Sequence, residues 1–170
     1  MNTIPTPLEQ NPNPIDERVT IGHVHMKAGD LSKIEQFYVN ILGFSVIARY
    51  PEALFIAAGH YHHHLAFNTW TSKGGAPAPM GTTGLYHIAI KYPTRASLAD
   101  ALRRLNDANY HIDGLSDHGT QEALYLRDPE GNGVELYWDR PESEWPLNHD
   151  GTIRFDNALF DLDDLLSELE

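Results

Sequence analysis

One short signature occurs twice in the chain, HVHMK at residues 23–27 and HIAIK at residues 87–91, so that His23 superposes on His87 and Lys27 on Lys91. A repeated unit of this size cannot bury its apolar face alone and must pack on its own copy. The surroundings of the two signatures also run in parallel. In the first copy, VTIGHVHMKA alternates as a strand from Val19 to about Ala28, which puts His23 and His25 on one face. Asp30 then caps a helix whose apolar side holds Leu31, Ile34, Phe37, Tyr38, Ile41 and Leu42, with Gly43 as its left-handed stop. FSVIARY, ALFIAAG and HHHLAFNTW follow as three strands. After the Gly, Ala and Pro-rich connector TSKGGAPAPMGTTG the order begins again. LYHIAIKY is a strand, Thr94 caps a helix with Leu98, Ala101, Leu102 and Leu105 on one side, and HIDGLSD, EALYLRD and GVELYWD are strands. The pattern predicts an α+β domain over residues 18–141, built from tandem βαβββ half-domains at 19–70 and 84–140 that form a curved mixed sheet.

The flanks differ in character. Residues 1–17 hold Pro5, Pro7, Pro12 and Pro14 without apolar periodicity and are expected to form a flexible arm. Residues 142–170 carry nine of the 24 acidic residues against Arg154 alone, and end in a helix with Leu162, Leu165, Leu166 and Leu169 as its apolar stripe. That helix is read as covering a sheet edge or a subunit interface. The net charge of -12 is therefore largely a property of the extension, and the remainder offers no basic stripe for nucleic acid. No apolar run approaches the length of a bilayer span, and the N-terminus has no signal-peptide pattern, which points to a cytoplasmic protein without membrane contact. With no Cys, any metal must be held by imidazole, carboxylate or water.

If the half-domains pack with approximate twofold symmetry, their opening strands bring His23 and His87 together. The turn in DPEGNGVELYW sends the chain back along a strand with Glu135 directed inward. Two imidazoles and one carboxylate make a facial set that leaves half an octahedron open for substrate. The expectation is one divalent metal held by His23, His87 and Glu135. His25, His60, His111 and His149 are read as surface or supporting residues.

IGHVHMKAGDLSKIEQFYVNILGF, followed by YHIAI and DPEGNGVEL, resembles the vicinal-oxygen-chelate superfamily of glyoxalases, antibiotic-resistance proteins and extradiol dioxygenases over roughly Val19 to Pro141. The resemblance implies a glyoxalase-like fold and the ligands His23, His87 and Glu135. YHHHLAFNTW and SDHGTQEALYLRDPEGNGVELYW are most similar to the catechol 2,3-dioxygenase-like branch, which implies roles for His63, His118 and Tyr125. Tyr125 lies ten residues before Glu135, as that branch has it. The implied activity is extradiol cleavage of a catechol-like aromatic by O2 with Fe(II). His63 would accept and return a ring-hydroxyl proton, while His118 and Tyr125 would hydrogen-bond the bound catecholate. A glyoxalase-like isomerase or lyase using Zn, Ni or Mn is the alternative, with His64 in place of that branch's usual fourth ligand, Glu. A non-catalytic small-molecule (antibiotic) binding protein is a third. Open sheet edges and the apolar tail stripe predict a homodimer.

Overall fold

The structure, a computed structural model, describes residues 13–170, so most of the arm assigned to residues 1–17 lies outside the described residues. β1 (Val24–Lys27) is followed by α1 (Leu31–Glu35), which continues as a wider π-helical turn over Gln36–Ile41. β2 (Ser45–Tyr50), β3 (Ala53–Ala57) and β4 (Leu65–Asn68) complete the first unit. The second is β5 (His87–Lys91), α2 (Arg95–Asp107), β6 (Gly114–Asp117), β7 (Gln121–Arg127) and β8 (Gly133–Asp139). A short α3 (Leu162–Leu166) lies in the C-terminal extension. Among the described residues no helix is long and apolar enough to cross a membrane.

Both caps lie where the sequence puts them. The Asp30 carboxylate accepts from the amide of Ser32, and Thr94 with Ser97 forms a reciprocal capping box. Gly43 takes the left-handed φ of 88° that ends the first helix. The helix widens before that stop, where the Leu42 amide donates to Phe37 at 3.0 Å, a span of five residues.

Each unit forms its own four-stranded mixed sheet, in the orders β1-β4-β3-β2 and β5-β8-β7-β6. The two orders match position for position, as a duplicated unit requires. The expected α+β arrangement of tandem mixed units is present, and, as no ladder joins β1 to β5, its curved β-structure consists of two sheets, each with its His-bearing strand at an edge. Alternation then assigns the faces. Met26, Phe67 and Leu54 of the first sheet, and Leu124, Leu126, Val134 and Leu136 of the second, enter one core with Ile34, Phe37 and Tyr38 and with Leu98, Leu102 and Leu105. Phe37 packs on Tyr110 across the halves with ring centroids 4.7 Å apart. The two units thus share one core, and each sheet turns its other face away from it.

Two expected strands are shorter than their alternation predicts. The β1 ladder starts at Val24, paired with Leu65, and leaves His23 one residue outside it. β4 starts only at Leu65, because the chain from Gly59 (φ 66°) to His64 forms a turn. His62 and His63 therefore do not alternate as strand residues; their Nδ1 atoms lie 2.9 Å apart. The tail also differs in detail. α3 packs on α2 through the buried Leu165, while an extended stretch pairs Ala158 with Asp117 and covers the β6 edge. Leu169 is left 41% exposed.

Candidate metal and substrate site

The second sheet builds a connected polar line on its outward face. Alternation places His87, Gln121, Tyr125 and Glu135 opposite the core residues Leu124, Val134 and Leu136. The register sets Tyr125 directly across from Glu135. Glu135 is delivered by a tight turn organised by Asp128. That buried carboxylate accepts from the amides of Glu130 and Asn132 at 2.9 Å, from Asn132 Nδ2 at 3.0 Å and from the Tyr38 hydroxyl at 3.2 Å. Gly133 lets the strands close up, since a Cβ there would meet the Tyr86 carbonyl at 2.1 Å and His87 Cβ at 3.0 Å.

His87 Nε2 lies 3.1 Å from Glu135 Oε2. Tyr125 donates its hydroxyl to Glu135 Oε1 at 2.9 Å, and Gln121 Nε2 donates to the same oxygen at 2.9 Å. His118 Nε2 is 2.9 Å from the Tyr125 hydroxyl, and its Nδ1 meets the carbonyl of Asp156 at 2.9 Å. Burial, with Glu135 beside it, pushes the Tyr125 phenol well above its ordinary range, so Tyr125 is a hydrogen-bond donor at neutral pH. Gln121 is a member of this line that sequence reading missed. Its signal was legible, because it precedes Tyr125 by four residues and so shares its face of the strand.

The first sheet gathers a different set. The His23 ring lies 4.3 Å from that of His63 and 6.3 Å from that of His62. His63 packs edge-on against Phe55 at 5.2 Å. Desolvation and then the neighbouring His23 and His62 lower the pKa of His63, favouring its neutral, proton-accepting form. His64 does not join His63: its Nδ1 accepts the Ala58 amide at 3.2 Å and its ring stacks on Tyr61 at 4.6 Å. His25 is held by Asn68, whose Nδ2 is 2.9 Å from His25 Nε2.

The structure thus brings together His87, Glu135, Tyr125 and His118, and separately His23 with His63. Among the described residues no three His, Asp or Glu are spaced to hold one metal ion. His23, His64 and His87 do line one cavity of about 500 Å³ beside the open edges of β1 and β5. The donor chemistry of His87 and Glu135 suits a divalent ion. Neighbouring ligands of a six-coordinate ion bound at about 2.1 Å are separated by about 3 Å, and their observed spacing is 3.1 Å.

The family model described as the Glyoxalase/Bleomycin resistance protein/Dioxygenase superfamily matches residues 20–136. A catechol-2,3-dioxygenase of Bacillus subtilis (strain 168) is 36% identical over 154 residues, covering 91% of this chain and 53% of its own length, so the chain spans about half of that relative. A biphenyl-2,3-diol 1,2-dioxygenase of Rhodococcus globerulus is 31% identical over 132 residues, or 76% of this chain and 70% of that protein. A probable lactoylglutathione lyase of Synechocystis sp. is 28% identical over 120 residues, or 67% of this chain and 91% of that protein. A glyoxalase/bleomycin resistance protein/dioxygenase structure from Alicyclobacillus acidocaldarius has the same fold, with a TM-score of 0.57 at 18% identity, covering 79% of this chain and 98% of that one.

Proposed function

We propose that this chain, which belongs to the Glyoxalase/Bleomycin resistance protein/Dioxygenase superfamily, is an extradiol dioxygenase that opens a catechol-like ring with O2. The observation that carries the reading is the unbroken line from His87 through Glu135 and Tyr125 to His118. A metal carboxylate alone would serve many reactions. A phenol behind it, itself hydrogen-bonded to an imidazole, forms a polar set suited to a charged, oxygen-rich substrate.

His87 Nε2 and Glu135 would hold the metal, with Fe(II) the ion that this activity calls for. Bound there, such an ion supplies two-oxygen chelation of the catechol and a site for O2. His23 is the third ligand in this reading, and it comes from a second copy whose first sheet is laid, polar face inward, over the second sheet of this one. Homodimerisation is therefore part of the proposal. The open edges of β1 and β5 and the exposed Ile21, Leu85 and Tyr86 beside them support such a contact.

The chain's own groups then have distinct tasks. His63, neutral and stacked on His23, would arrive with it and take a ring-hydroxyl proton. Tyr125 would donate to a substrate oxygen, and Gln121 would keep Glu135 oriented. Phe55 beside His63 gives an apolar wall for the ring edge.

The test is oxygen uptake by protein loaded anaerobically with Fe(II), screened over catechol and its alkyl and aryl derivatives. Stoichiometric O2 consumption with ring-fission absorbance is expected. No consumption with any diol, together with turnover of a glutathione hemithioacetal by the Zn or Ni form, would establish the lyase instead. The specific support for that second reading is His64, which lines the cavity shared with His23 and His87.

A further inference from the structure

The C-terminal extension reaches the site through residues 156–158. Asp156 is the residue that meets His118, and it does so with backbone groups alone. Its amide donates to the His118 carbonyl at 3.0 Å, and its carbonyl lies 2.9 Å from His118 Nδ1. Next to it Asp117 and Ala158 exchange two backbone hydrogen bonds of 2.7 and 3.0 Å. Ser116 Oγ donates to Asn157 Oδ1 at 2.6 Å. Residues 156–158 therefore run along β6 as an added strand segment, with Asn157 lining the cavity that also exposes His87, His118 and Tyr125. The segment is fastened beyond this point by α3, where Leu165 is buried. There Arg95 also binds Asp164 at 2.6 Å and Glu168 at 2.9 Å while holding the buried Glu122 at 2.9 Å.

A carbonyl oxygen only accepts. The nitrogen facing Asp156 must carry the hydrogen, and a neutral imidazole then has none on its other nitrogen. We propose that residues 156–158 are a positioning strap that fixes His118 in the Nδ1–H tautomer, so that Nε2 faces Tyr125 as an acceptor.

The consequence falls on Tyr125, which has one hydroxyl hydrogen and two acceptors at 2.9 Å, Glu135 Oε1 and His118 Nε2. With the strap in place the hydrogen can leave Glu135 for His118 or, in the proposed complex, for a substrate oxygen, and the phenol oxygen stays free of a competing donor. Without it the ring can carry its hydrogen on Nε2, donate to Tyr125 and lock the phenol onto Glu135. Asp156 is thus a positioning residue that acts through His118. Its effect on turnover rests on the dioxygenase reading, whereas its effect on the tautomer does not.

The test separates the two. In the full-length, metal-free chain with 15N-labelled His, at about pH 8 where imidazole is neutral, two-bond correlations report which His118 nitrogen bears hydrogen. Wild type is expected to show Nδ1–H. Ala158→Pro removes an amide that holds the strap at an exposed position and is expected to mix the tautomers. On the Fe(II) form it should lower kcat about tenfold with KM little changed. Ala158→Ser keeps that amide and should match wild type, and Ser116→Ala, which frees Asn157, should fall between. Hydrogen on Nε2 in wild type overturns the strap, as does an Ala158→Pro chain with His118 signals and kcat unchanged. A tautomer change in Ala158→Pro with no ring cleavage by any form upholds the strap and sinks the dioxygenase reading.

Discussion

At the residue scale, the site divides its labour between a proton acceptor on one half and donors on the other. His63→Ala removes the acceptor without removing a ligand. It should leave metal content near wild type while ring cleavage falls about 100-fold to 10,000-fold. Tyr125→Phe removes one hydrogen bond to a charged group, about 1.5 to 3 kcal/mol, and should cost tens to a hundredfold in kcat. Steady-state kinetics with metal analysis gives the order of the two. Full activity in His63→Ala, combined with an emptied metal site in His64→Ala, would instead favour a four-ligand lyase. The lowered pKa of His63 has its own readout. In the metal-free chain its NMR titration midpoint should lie below that of an ordinary imidazole, because desolvation and then the neighbouring His23 and His62 oppose protonation. Conversion of His23→Ala should move that midpoint up, and an unmoved midpoint would contradict the coupling.

At the element scale, the turn before β8 aims Glu135, and Asp128 holds it. Asp128→Ala strands the amides of Glu130 and Asn132 and the hydroxyl of Tyr38 in partly buried positions. We expect a loss of about 2 to 3 kcal/mol, read from urea unfolding. A loss under about 0.5 kcal/mol would show that the turn is held by its backbone alone. Gly133→Ala tests the neighbouring contact differently. The added methyl has no room against the Tyr86 carbonyl, so β5 must shift and carry His87 away from Glu135. Metal affinity should fall even where the fold survives, and unchanged affinity by calorimetric titration would dismiss the role given to strand proximity.

At the scale of the whole molecule, a site shared between two copies predicts that one chain alone cannot complete the metal set. His23→Ala and Glu135→Ala should each be inactive. Unfolded together and refolded as a mixture, they should recover about a quarter of wild-type activity. Half of a random dimer population is mixed, and one of its two sites then has every residue intact. Light scattering should give twice the 19.1 kDa of the chain. A monomer mass, or no recovery on mixing, would show that both halves serve one site within a chain.

The two units are legible in the amino-acid sequence. Caps at Asp30 and Thr94, the stop at Gly43 and the apolar spacings of both helices are local matters, settled by hydrogen bonds and contacts within a few residues. The inward direction of Glu135 was legible from strand alternation after a tight turn, whereas Tyr125 was legible only through the resemblance, and the register that sets the two opposite each other comes from the structure. His62 to His64 were misread because local alternation cannot reveal where a ladder ends. That depends on whether a neighbouring strand is present, and β4 begins at Leu65. How the two units meet is a matter of long-range packing. A repeat requires burial of its apolar faces but is silent on whether they pack edge to edge or back to back, because either satisfies the same hydrophobic pattern. The packing leaves His23 outside the cluster of His87, Glu135 and Tyr125, and the extension, folded back along β6, lets a carbonyl 38 residues beyond His118 set the hydrogen on its ring.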